Sequence, residues 1–261
     1  MSLAVNRWGP ADAAPVLAIH GVRNIGARFR RVAQEALPHR RVLAPDLRGH
    51  GASTWDPPWD AETHVADLLE LLDREGVGAV DVVGHSFGGL LATRLAAAAP
   101  GRVASLTLLD PAVALDPAVC VESALNDLEG RGRAASFADL DEARAAWLAM
   151  RPPEGRWAVD EDLAAFLERG GDGRLRFRYS RLAAIAAWGE MACPPVPLTG
   201  FTGAVVLVEA LRDAFVTPAL RRRLARDVGA RLVERPVDAG HMLFWDAFDA
   251  LAAVLREALP A

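Results

Sequence analysis

Short apolar runs alternate with helical stretches over the first 110 residues, and that alternation leaves few folds open. The runs are Pro15 to Ile19, Arg41 to Ala44, Val80 to Val83 and Val103 to Leu109. Between them, Ile25 to Leu37, Ala61 to Glu75 and Ser86 to Ala99 carry helical spacing, with Val65, Leu68, Leu69 and Leu72 on one face of the second. Strands that alternate with helices predict a parallel sheet covered on both faces. In such sheets chemistry gathers outside the carboxyl ends of the strands. His20-Gly21, the Gly84 to Gly88 turn and Asp110 all fall there.

The alternation stops at Pro111. As far as Gly200 the chain reads as mostly helical, with few strands (Asp116 to Leu128, Asp139 to Met150, Asp160 to Leu167, Arg181 to Met191). Turn signals divide them: Gly130, Gly132, Pro152-Pro153, Gly170-Gly171 and Gly173. Strand-helix alternation resumes at Ala204 to Val208, and a last helix runs to about Leu259. The expected organisation is one α/β domain built from 1–110 and 201–261, with 111–200 inserted as a helical lid over the strand ends.

Composition narrows the chemistry. Hydrophobic residues are 52% and charged residues 24% of the 261, which suits a globular domain with a large core. The net charge of −5 argues against a nucleic-acid partner, which calls for a basic face. No lysine is present, so a Schiff base, a Ser-Lys dyad and a P-loop lysine are all excluded. Cys120 and Cys193 read as free thiols. The N-terminus has no signal-peptide pattern, and no stretch approaches the roughly 18 apolar residues of a membrane span. A cytoplasmic protein without stable membrane insertion is expected.

Gly84-His85-Ser86-Phe87-Gly88 fits Gly-x-Ser-x-Gly, between an apolar strand and an alanine-rich helix, the context in which that motif lifts a nucleophilic serine out of a sharp turn. A serine hydroxyl needs a base. Of six histidines, His241 lies on a loop between the last strand and the last helix, placed to reach over the sheet edge. His85 reads as a residue packed beneath the elbow, His20 as a buried hydrogen-bonding residue, His39 and His64 as surface residues, and His50 as part of a glycine turn. The carboxylate that would fix the tautomer of His241 is assigned to Asp213, which follows the Ala204 to Val208 strand; Asp110, at the end of the preceding strand, is its rival. The backbone N–H groups of Val22 and Phe87 are the expected oxyanion donors. Arg23, Asn24, Trp147, Trp188 and Met242 are candidate substrate-binding residues.

These pieces, with the Asp46-Leu47-Arg48-Gly49-His50-Gly51-Ala52-Ser53 segment and Gly240-His241, stand in one order along the chain. In that order they resemble the α/β-hydrolase fold family, specifically its cap-bearing serine hydrolases. The Asp46 to Ser53 segment is a structural turn in that family. Two departures matter: Ala210 stands where the family usually has glycine, and too few residues precede Pro15 for the usual first strand. A mostly parallel sheet of seven strands is therefore expected, with Leu3 to Trp8 as its edge. The resemblance implies an esterase or lipase-like enzyme that forms an acyl-enzyme with small to medium, apolar ester substrates, without metal or organic cofactor, as a monomer or homodimer. Carbon–carbon bond hydrolysis by the same triad is the alternative, and a ligand-binding or receptor protein a more remote one.

Overall fold

The computed structural model describes residues 3–131, 136–151, 153–213 and 215–261; the turn signals at Gly132 and Pro152 lie outside them. The chain opens with β1 (Val5–Trp8), β2 (Pro15–Ile19), β3 (Arg41–Pro45), α1 (Ala61–Arg74), β4 (Val80–His85), α2 (Phe87–Ala98) and β5 (Val103–Leu109). An insertion follows: α3 (Pro117–Leu128), β6 (Ser136–Phe137), α4 (Leu140–Met150), α5 (Val159–Phe166), β7 (Leu167–Arg169), β8 (Leu175–Phe177) and α6 (Arg181–Met191). The chain then returns through β9 (Val205–Ala210), α7 (Pro218–Val228), β10 (Leu232–Val237), α8 (Leu243–Asp246) and α9 (Phe248–Ala258).

Seven strands form one sheet in the order β1-β3-β2-β4-β5-β9-β10. β1 is the antiparallel edge against β3, and every other pairing is parallel. The seven-stranded sheet and its N-terminal edge strand are as the sequence implied. The central strands are mostly apolar because helices cover both faces. Leu17, Ile19, Val82, Leu106 and Leu108 are fully buried, and each contributes about 1.5–3 kcal/mol by leaving water. α1 shows how local sequence sets an element. Asp60 caps it by accepting the Thr63 N–H at 2.8 Å, and Val65, Leu68, Leu71 and Leu72 form its buried stripe.

Register places the site. Gly84 of β4 lies beside Ile19 of β2 and Leu108 of β5. The three strands end nearly level, so Gly21, Ser86 and Asp110 emerge side by side.

One expectation is corrected. The helix read over Ile25 to Leu37 is a 3-10 turn, Gly26–Phe29, followed by a π turn, Val32–Ala36. Its start is clamped to the end of β3: the Gly26 N–H donates to the Asp46 carboxylate at 2.8 Å, and a Cβ at Gly26 would overlap the Ala44 carbonyl. The insertion is not only helical. β6, β8 and β7 make a small antiparallel sheet, which takes Leu167 out of the preceding helix. The insertion joins the sheet domain through two backbone bonds of 2.7 Å, Gly51 N–H to Arg178 O and Ser180 N–H to Gly49 O.

Candidate active site

Ser86 sits between β4 and α2 with φ +57°, a conformation that costs a non-glycine residue energy. Neighbouring glycines make the turn possible. A Cβ at Gly84 would strike the Gly88 carbonyl, and one at Gly88 the Ile19 carbonyl. The turn is pinned by the Ser86 N–H donating to Leu109 O at 3.1 Å and by the Ala112 N–H donating to Ser86 O at 3.1 Å. Phe87 opens α2, so its N–H has no acceptor within the helix.

The His241 Nε2 lies 3.0 Å from Ser86 Oγ, and its Nδ1 lies 2.6 Å from Asp110 Oδ2. An ionised carboxylate only accepts, so Nδ1 carries the proton and Nε2 is free to take one from the serine. The ring is stacked on Phe215, with centroids 4.0 Å apart. His85 donates from Nε2 to the His241 carbonyl at 3.0 Å. The Gly240 N–H donates to Asp246 Oδ2 at 2.9 Å, and Arg212 donates to the same oxygen at 2.8 Å. Asp246 therefore holds the loop that carries the histidine.

The acid partner differs from the one assigned from sequence. Asp213 is exposed at the cavity rim, while Asp110 is fully buried and touches the histidine. β5 lies next to β4, so a residue one step past its end is already beside Ser86. The loop after β9 contributes donors instead of a carboxylate: the N–H groups of Phe215 (3.1 Å) and Ala210 (3.4 Å) point at Asp110 Oδ1. Burial pushes the Asp110 carboxyl up to about 6, against the downward pull of those two N–H groups.

Gly21 lies against the serine. A Cβ at Gly21 would lie 2.9 Å from that of Ser86, so only glycine allows the approach. His20 Nε2 accepts the Leu47 N–H at 2.9 Å, which leaves Nδ1–H to donate to the Gly21 carbonyl at 2.8 Å. A planar peptide points its N–H away from its C=O, so His20 orients the Val22 N–H. His50 accepts the Arg23 N–H at 3.3 Å. Burial drives both histidines down to about 3, and they are neutral at physiological pH. Sequence reading made His20 a buried hydrogen-bonding residue and His50 part of a turn; it missed their grip on this loop, which only the fold brings together. In the turn itself, Asp46 accepts the Gly26 and Ala52 N–H groups, and Arg48 pairs with Asp67 at 2.7 Å.

A cavity of about 230 Å³ opens over Ser86, walled by Val22, Arg23, Trp188, Phe215 and Met242, with Asn24 at its border. Asn24 is structural there: its Oδ1 accepts the Ile25 N–H at 3.1 Å and Arg28 Nε at 3.4 Å. Trp147 is not at the site. It is buried among Phe166, Phe177 and Trp245, with the Arg151 guanidinium over its ring, because the insertion needs a core of its own. Among the described residues no three His, Cys, Asp or Glu side chains are grouped to hold a metal ion. Nor is any described helix long and apolar enough to cross a membrane. Cys120 and Cys193 are free.

Known proteins match both sequence and fold. Lipase LipV of Mycobacterium tuberculosis (strain ATCC 25618 / H37Rv) is 40% identical over 270 residues, which cover 99% of this chain and 98% of that protein. The 2-hydroxy-6-oxo-2,4-heptadienoate hydrolase of Pseudomonas putida is 40% identical over 101 residues, 36% of each chain. The crystal structure of E-2-(acetamidomethylene)succinate hydrolase superposes with a TM-score of 0.85 at 21% identity, over 99% of this chain and 95% of that one, which shows a shared fold. The alpha/beta hydrolase family profile matches residues 16–254, and the chain belongs to that family.

Proposed function

We propose that this protein hydrolyses carboxylic esters with small to medium apolar acyl groups through an acyl-enzyme on Ser86. The observation that carries the reading is the unbroken chain from Ser86 Oγ through His241 to buried Asp110, at 3.0 and 2.6 Å. Ser86 Oγ attacks the acyl carbon while its proton passes to His241 Nε2. Asp110 holds the imidazolium that forms. The N–H groups of Val22 and Phe87 receive the developing oxyanion. Collapse breaks the acyl–oxygen bond, and His241 returns its proton to the leaving alcohol. Water then attacks the acyl carbon as His241 takes its proton, and the acid leaves as Ser86 is regenerated.

The likeness to a lipase along nearly the whole chain supports ester chemistry. The cavity supports the substrate size: about 230 Å³ lies below the roughly 300–1,000 Å³ of pockets for drug-sized ligands. Its apolar walls, Val22, Trp188, Phe215 and Met242, suit a short hydrocarbon chain. Residues 111–200 serve as the lid, since Trp188 closes one side of the cavity.

The test is hydrolysis of p-nitrophenyl acetate, butyrate and octanoate by wild type and Ser86→Ala across pH 5 to 9. Wild type turns over the shorter esters and Ser86→Ala loses about 10⁴-fold or more. The wild-type rate rises with pH through about 6, because Asp110 must lose its proton before it can hold the His241 imidazolium. Ester turnover that survives in Ser86→Ala sinks the proposal. A partial match to a carbon–carbon bond hydrolase supports the second reading; turnover of a vinylogous diketone with inert esters would select it.

A further inference from the structure

Arg23, the residue after the oxyanion donor Val22, is tied to the insertion. It holds φ +59°, in the left-handed region. Its Nε lies 2.9 and 3.0 Å from the two carboxylate oxygens of Asp127, and its Nη2 lies 2.6 Å from Asp127 Oδ2. Nη2 also donates to the Ser123 carbonyl at 3.1 Å, and the guanidinium lies over the Trp188 ring, 5.1 Å from its centroid.

Asp127 belongs to α3 and is fully buried. It also accepts Trp188 Nε1–H at 2.9 Å and Tyr179 O–H at 3.3 Å, from α6 and the segment before it. One carboxylate of α3 thus gathers α6, whose Trp188 borders the cavity, together with the loop that carries Val22. Tyr179 in turn stacks on His50, which holds the Arg23 N–H. Backbone and side chain of Arg23 are fixed by two chains of contacts, and both run into the insertion.

We infer that the Arg23–Asp127 pair is a latch through which the lid sets the oxyanion hole, so that docking of α3 and α6 against the Val22–Arg23 loop and correct aim of the Val22 N–H are a single event. The inference rests on the ester-hydrolase reading of Ser86. Asp127 is a positioning residue: it touches no reacting atom and acts through Arg23 on the neighbouring peptide. An exposed ion pair would contribute little. A buried bidentate one fixes direction as well as distance.

The test uses the full-length protein with p-nitrophenyl butyrate and butylboronic acid, a mimic of the tetrahedral intermediate. Loss of an oxyanion donor costs about 10²–10³ in kcat, so misaiming one costs less, about 10–100-fold. Asp127→Asn loses that factor in kcat with KM within about threefold, and the boronic acid weakens by the same factor. Because Asp127→Asn can unfold by leaving Arg23 buried without a counter-charge, the uncharged double variant Arg23→Gln/Asp127→Asn is measured beside it, with melting curves for both. The double variant shows the same kcat loss. A folded variant with wild-type kcat and wild-type boronic acid affinity overturns the latch, whatever its melting temperature. Wild-type turnover that does not depend on Ser86 overturns the ester reading instead, so the two failures are separate.

Discussion

The sheet edge and the insertion hold their functional residues by different means. At the strand ends, position comes largely from backbone and neutral side chains (strand ends in register, glycine turns, and His20, His50 and His85 bonded to peptide groups), with Asp46 and the Asp246–Arg212 pair pinning two loops. In the insertion, position comes from charge. Asp127 holds Arg23, and Asp162 pairs with Arg28 at 2.9 Å and also with Arg151. No histidine lies between residues 111 and 200. The comparison teaches that the two regions answer to different perturbations: protons loosen the first, and removal of packing or of ion partners loosens the second.

Acid is the largest way to break it. Burial lowers the folded-state pKa of His20, His50 and His85 to about 3 and of His64, which the sequence placed at the surface but α1 buries, to about 4. Unfolded histidines titrate near 6.5. Their stabilisation is fully present above pH 6.5 and is lost as pH falls from there toward 3 to 4, because only the unfolded chain takes up the protons. Asp110 acts in the opposite sense. Its raised pKa of about 6 means that the fold gains as pH drops through 6 toward 4, but it is one group against four. Moving from pH 7.5 to pH 5 therefore costs on the order of 5 kcal/mol by linkage. Thermal melts across that range check it, and a flat melting temperature contradicts it.

Trp147→Ala sharpens the comparison from the other side. Truncating this buried ring costs about 3–5 kcal/mol of stability. Because Trp147 packs inside the insertion and not at the cavity, kcat per folded molecule falls by less than about fivefold, a smaller loss than the latch variants show. Melting and active-site titration with a fluorophosphonate measure the two effects in one sample.

The same divide explains what the sequence revealed. The sheet was legible because each strand is a short apolar run next to its own helix. Ser86 was legible because its glycines and its strand-helix context are contiguous. His241 followed from its loop between the last strand and the last helices. The insertion was read less well: the pairings of β6, β8 and β7 span about 40 residues, and the two- and three-residue strands carry almost no period of their own. Trp147 and Trp188 look alike in sequence, yet one packs the core and the other borders the cavity. Choosing Asp213 over Asp110 needed the order of strands in space. The substitution of Ala210 for the family's glycine was the available hint that the β9 loop does not carry the acid. Asp110 follows an apolar strand directly, in the same place after β5 that His20 occupies after β2.

The assignment of the acid is the centre of the account, and one measurement addresses it directly: kcat/KM for p-nitrophenyl butyrate with Asp110→Asn and Asp213→Asn at pH 7.5. Asp110→Asn loses about 10²–10⁴-fold, because an amide at that position no longer fixes the required tautomer of His241. Asp213→Asn stays within about twofold of wild type. Loss of activity in Asp213→Asn, with Asp110→Asn folded and active, contradicts the account.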